Sequence, residues 1–150
     1  MTTATLDELP VVASTRQVAP PPGYSEFVLH DPYEAQFGPF FERTENGTLT
    51  GAFMIDDRHV NDNGEVNEGM MLTFADFVLG ITAHRLADDW VVTLSMQANW
   101  VAPAKLGDLV VCRPRLDRQT KSILFVSGEF FVGDRKVMTA NSIWKVPAKR

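Results

Sequence analysis

The 150-residue chain is 45% hydrophobic and 22% charged, the composition of a single globular domain with a real core. Its 14 basic and 19 acidic residues give a formal net charge of -5 and no basic face for phosphates, which argues against a nucleic-acid partner. One cysteine, Cys112, excludes an internal disulfide and a cysteine-rich metal site, and a reducing, cytoplasmic setting is expected.

In chain order, residues 1–22 read as a flexible arm that runs into the proline-rich "APPPG", with the folded domain over 23–150. The opening "MTTATLDELPVVAS" lacks the basic start and apolar stretch of a secretory signal. No apolar run approaches the roughly 20 residues of a membrane span, so no membrane partner is expected. "DPYEAQFGPF" reads as a short helix from Pro32, capped by Asp31 and stopped at Gly38-Pro39. "FFERT" and "TLTGAFMID" read as a hairpin around Asn46-Gly47, a turn that also accounts for the sequon at Asn46.

Residues 68–86 contain no proline and carry apolar side chains on every side, including Met70, Met71, Phe74, Phe77 and Leu79. Such a helix is a buried one. Asn67 caps its start, and "HRLADD" ends it with a cation where the helix dipole favours one. "VVTLSMQANWVAPA" alternates, with Val92, Leu94, Met96, Ala98 and Trp100 on one face and Thr93, Ser95, Gln97 and Asn99 on the other. Three more strands follow, "LVVCRPRLD", "SILFVSGEFFV" and "KVMTANSIWKVP", the last two joined at Gly133-Asp134. A hairpin, a helix buried all round and an antiparallel meander give an α+β fold. The sheet must curl around the helix, because a flat one covers a single face.

Asp76 sits in the apolar run between Phe74-Ala75 and Phe77-Val78, where an ionised carboxylate is costly unless it is bonded or has a task. Hydrogen bonding within a core, or a subunit contact, satisfies that condition. The preceding loop offers another reading. Gly64 permits a tight turn, and Gly69 lies in the first turn of the helix, where unpaired N–H groups form an oxyanion site open to a substrate carbonyl. A carboxylate two turns further along does not reach those N–H groups in its own chain, but it can face those of a second copy. An oxyanion site with a carboxylate base or nucleophile suits acyl transfer to water.

The stretch "NDNGEVNEGMMLTFAD", residues 61–76, resembles the hotdog-fold acyl-CoA thioesterases of the phenylacetate-degradation and 4-hydroxybenzoyl-CoA types. Their pattern is Asn-x-x-Gly-x-x-His-Gly-Gly followed by a helical Asp, and Asn61, Gly64, Gly69 and Asp76 fall in register with it. "VTLSMQANWVAPAKLGD" resembles the family's long strand and its Pro-Ala-x-x-Gly-Asp turn, and the likeness extends over about residues 38–146. The resemblance implies a hotdog fold, an antiparallel sheet wrapped around one long central helix, paired as a homodimer or a dimer of dimers with sites at the interface. It implies an acyl-CoA substrate, with coenzyme A part of that substrate and no metal or other cofactor. By resemblance Asp76 is the general base or nucleophile, the Gly69 N–H polarises the carbonyl, Asn61 of the opposite subunit orients water or the carbonyl, and Thr93 positions water.

The family's His-Gly-Gly is Asn67-Glu68-Gly69 here, placing a carboxylate at the proposed oxyanion site. Asn67, Glu68, Met70 and Gly64 are therefore candidate substrate-binding residues, and a non-hydrolytic hotdog protein that binds an acyl thioester is the alternative function. His59 with Asp56, Asp57 and Asp62 matches no standard metal loop and reads as a solvated turn. Cys112 reads as buried packing.

Overall fold

The computed structural model describes residues 5–148. Its strands are β1 (Ser25–Glu26), β2 (Phe41–Glu45), β3 (Thr48–Met54), β4 (Val92–Trp100), β5 (Leu109–Gln119), β6 (Ile123–Val132) and β7 (Arg135–Lys145). Two α-helices accompany them, α1 (Pro32–Phe37) and α2 (Glu68–Ala87). All seven strands form one antiparallel sheet in the order β1-β2-β3-β5-β6-β7-β4, wrapped around α2.

Local chemistry accounts for most of these boundaries. Asp31 accepts a 2.7 Å bond from the Tyr33 N–H and Pro32 opens α1, the arrangement expected of a helix start. The β2–β3 hairpin turns through Asn46 and Gly47, both at positive φ. Asn67 caps α2, His84 and Arg85 lie in its last turn, and Asp88 ends it in the left-handed region. Beyond Cys112, β5 extends past its pairing with β3 and pairs only with β6, which leaves Pro114 on an unpaired flank where its missing N–H costs nothing.

The core lies between α2 and the concave face of the sheet, with Phe40, Phe53, Phe74, Val78, Leu79 and Phe130 fully buried. Helix and sheet meet closely at Gly51, where a Cβ would stand 2.5 Å from Val78 Cγ2. In length and composition α2 would pass for a membrane span, but its burial against the sheet makes it a core helix. The expected simple meander is realised only by β5, β6 and β7. The helix spans about 30 Å and carries the chain across the sheet, so β4 pairs with β7 at the far edge and not with β5.

Of the stretch expected to be a flexible arm, residues 1–4 lie outside the described residues and the segment from Val12 to Arg16 is held at several points. The Val12 N–H bonds Leu29 O and the Thr15 N–H bonds Ala35 O, each at 2.8 Å, and Ser14 is buried. Arg16 pairs with Asp57 and lies 3.3 Å from Asp56.

Candidate active site

Because the sheet curls around α2, one stripe of the helix stays uncovered. Gly69, Thr73 and Asp76 share it, being four and three residues apart. The side chains flanking Asp76 point inward: Phe74, Ala75 and Val78 are fully buried and Phe77 is 7% exposed. Asp76 itself is exposed, contrary to the apolar burial that its sequence neighbours imply. Each helical step rotates by about 100°, so apolar neighbours in sequence are not neighbours around the axis.

Thr93 Oγ1 donates a 2.9 Å hydrogen bond to Asp76 Oδ1. Strict alternation along β4 would turn Thr93 away from the face carrying Met96 and Ala98. A bulge reverses this: Thr93 pairs with Trp144 and Ser95 with Ile143, leaving Leu94 as an extra residue without a partner. Trp144 faces inward against Gly80 of α2, and Thr93, opposite it, shares that face. The alternation expected across Thr93 and Leu94 is thus corrected by one inserted residue.

At the start of α2, the Gly69 N–H donates to Asn67 Oδ1 at 2.8 Å, so the expected oxyanion donor is engaged by its own cap. A Cβ on Gly69 would meet only that oxygen, at 3.0 Å, and the surface there is open. Glu68 is exposed and lies off the stripe, lining a groove of about 320 Å³ with Glu65, Met71, Trp100 and Val101. Met70 is only 5% exposed and belongs to the core; Met71 lines the groove instead.

Asn61 Oδ1 accepts bonds from the Asn63 and Glu65 N–H groups, at 2.9 and 3.2 Å. This fixes the amide with its NH₂ directed away from the turn. Gly64 takes φ +73°, a conformation that favours glycine, and Glu65 and Val66 anchor the loop to Lys105 and Ala104. Within one chain the structure brings Asp76 and Thr93 together and puts Gly69 about 10 Å along the same helix. Among the described residues, no hydrogen bond joins Asn61 to Asp76.

Helix α1 contributes residues that the sequence did not single out. Thr73 Oγ1 gives its hydrogen to Gly69 O at 3.0 Å, so the 3.2 Å contact with Tyr33 is a bond donated by the tyrosine hydroxyl. The next residue, Glu34, is half-buried, and its carboxyl is pushed up to about 7, first by burial and then by the charges of Asp31 and Asp76. Only the Asp31 cap was legible, because nothing local specifies that α1 lies across the stripe of α2.

The His59 loop forms a structural clamp. His59 Nδ1 accepts from the Asp56 N–H at 3.0 Å, so its proton lies on Nε2, which donates to Phe37 O at 2.7 Å. Both nitrogens are engaged, and burial lowers the imidazole pKa. Arg58 holds Asp56 and also donates to Gln36 O and Gly38 O, at 2.7 and 2.6 Å, which closes the end of α1. Asp56 and Asp57 are thus taken by arginines, and among the described residues no three His, Cys, Asp or Glu side chains cluster as metal ligands. Cys112 is buried, which pushes its thiol pKa well up.

A profile of the thioesterase superfamily matches residues 63–139. A Pseudomonas aeruginosa protein that carries an esterase name is 28% identical over 130 residues, covering 85% of this chain and 97% of that protein. Among solved structures, a phenylacetic acid degradation-related thioesterase from Ralstonia eutropha is 26% identical with a TM-score of 0.68, over 77% of this chain and 91% of that one. A Streptococcus pneumoniae thioesterase solved with coenzyme A is 18% identical with a TM-score of 0.67, over 74% and 88%. The shared architecture is the hotdog fold.

Proposed function

Because the chain belongs to the thioesterase superfamily, we propose that it hydrolyses acyl-CoA thioesters, with Asp76 as general base. The observation that carries this reading is the Thr93–Asp76 hydrogen bond on the uncovered stripe of α2. Thr93 spends its one hydrogen on Asp76 Oδ1 and keeps lone pairs for a water. Asp76 takes a proton from that water, and the resulting hydroxide adds to the thioester carbonyl carbon. Collapse of the tetrahedral oxyanion breaks the C–S bond, and the thiol leaves with a proton. The coenzyme A in the Streptococcus pneumoniae structure supports this substrate class.

The second half of the site comes from another copy. The strand that presents Thr93 is also an edge strand, and Val92, Leu94, Trp100 and Val101 are exposed on it or just beyond it. A homodimer paired along β4, alone or as a dimer of dimers, brings the partner's helix start and loop to Asp76. There the Gly69 N–H takes the oxyanion and Asn61 orients the carbonyl. Releasing the Gly69 N–H from Asn67 costs about 0.5–2 kcal/mol, the worth of a cap. An oxyanion donor returns about 2.7–4 kcal/mol in the transition state, so hydrolysis survives the exchange.

The test is thiol release from a panel of short, medium and aromatic acyl-CoAs. Asp76→Ala lowers it at least about a hundredfold; a panel without Asp76-dependent release overturns the reading. The engaged Gly69 N–H also favours a second reading, a protein that binds acyl thioesters without cleaving them. Saturable binding without turnover, with a large gain of turnover in Glu68→Gly, is the signature of that alternative.

A further inference from the structure

The groove beside the start of α2 measures about 320 Å³, near the lower end of the range for small-molecule sites. Its floor is apolar, with Met71, Ala104 and Val137 buried, and Trp100 and Val101 stand exposed at its rim. Two acids line it as well: Glu65, half-buried on the loop, and Glu68, exposed in the first turn of the helix. Among the described residues neither carboxyl has an ion-pair or hydrogen-bond partner. Lys105, whose backbone bridges that of Glu65, does not line the groove, and Arg135 is engaged by Pro103 O and Asp108. The result is a greasy trough that carries two uncompensated negative charges.

Glu68 immediately precedes Gly69, whose N–H is the oxyanion donor of the proposed site. A thioester carbonyl held at that N–H has two substituents, the sulfur and the acyl chain, and the groove opens beside it. Coenzyme A places phosphates on the sulfur side, and two carboxylates repel them. The acyl chain is the substituent that suits an apolar floor.

We propose that this groove receives the acyl group and that Glu65 and Glu68 restrict it to acyl groups without negative charge. The inference deepens the acyl-CoA reading and rests on it. A terminal carboxylate in the groove loses hydration against Met71 and Val137 and faces two like charges. An uncharged end suffers neither penalty. The substrate class is therefore short monocarboxylic acyl thioesters, and dicarboxylic ones of equal length are rejected. This gives Glu68 a task at the place where the resembling family carries glycine: it is a specificity-determining residue, acting by repulsion of the wrong substrate.

The experiment uses two thioethers that cannot be cleaved, S-pentyl-coenzyme A and its ω-carboxy counterpart, titrated calorimetrically into the full chain. The carboxy compound is expected to bind at least about tenfold more weakly, and the gap narrows as salt is added. The gap closes when Glu65→Gln and Glu68→Gln are combined, a pair of changes that keeps shape and removes charge. Equal affinities in the wild type overturn the proposal. So does a double variant that weakens both compounds alike with the gap intact, as a merely structural role for the two glutamates would produce. S-Pentyl-coenzyme A also changes the tryptophan emission, and Trp100→Phe abolishes that change; a change that persists places the chain elsewhere and overturns the groove. Absence of binding by either compound overturns it too.

These readouts need no turnover. A protein that discriminates between the thioethers but releases thiol from no thioester sinks the hydrolase reading and leaves the groove standing. In an active enzyme, kcat/KM for pentanoyl-CoA exceeds that for glutaryl-CoA at least about tenfold. Equal values overturn the groove and leave hydrolysis by Asp76 standing.

Discussion

The carboxylate of Asp76 stands outward between neighbours that point into the core, and the bond from Thr93 holds it there. Acidification has an opposite and measurable effect at the His59 clamp. Burial lowers the imidazole pKa, so the fold loses stability as pH drops below the ordinary histidine value of 6.5 and the ring is forced to charge. Burial also opposes the charge on Asp56, but its bonds from Arg58 outweigh that and hold its pKa down, so its contribution is lost at still lower pH. Glu34 works in the contrary sense, gaining its preferred proton on acidification. The melting temperature therefore falls between pH 7 and 5 more steeply in Glu34→Gln than in the wild type; equal slopes refute this balance. Asp76 and Gly69 were legible as candidates from their places in the helix, and Asn61 from the resemblance to the thioesterase motif. Glu34 and Tyr33 were not, because their importance comes from where α1 lands.

Among the elements, β4 departs furthest from what its residues suggest. Alternation was read correctly from Met96 to Trp100 but placed Thr93 on the wrong face, because pattern alone does not reveal an extra residue in a strand. Thr93→Val keeps the β-branched shape and the bulge at Leu94 but removes the hydroxyl that bonds Asp76. A hydrogen bond to a charged group is worth about 1.5–3 kcal/mol, so thiol release is expected to fall roughly tenfold to a hundredfold while the protein stays folded by circular dichroism. Undiminished turnover would remove Thr93 from the mechanism. The helices and the β2–β3 hairpin were legible because caps and turns are local devices. The position of β4 beside β7 was not, since it depends on where a helix about 30 Å long delivers the chain.

For the whole molecule, the two edges of the sheet are unequal. β1 at one end has two residues, and β4 at the other has nine. Like charges placed on the long edge, as in Val92→Asp with Leu94→Asp, are expected to give particles of single-chain mass in sedimentation and to abolish thiol release together. A monomer that retains full activity would show that no second copy is needed. The inequality of the edges also limits growth. A ribbon with sticky margins on both sides can extend without end, whereas one with a single adhesive margin is spent after one handshake. In the proposed homodimer paired along β4, lateral accretion into fibres is thereby closed off, and a dimer of dimers would be built through the faces of the sheets.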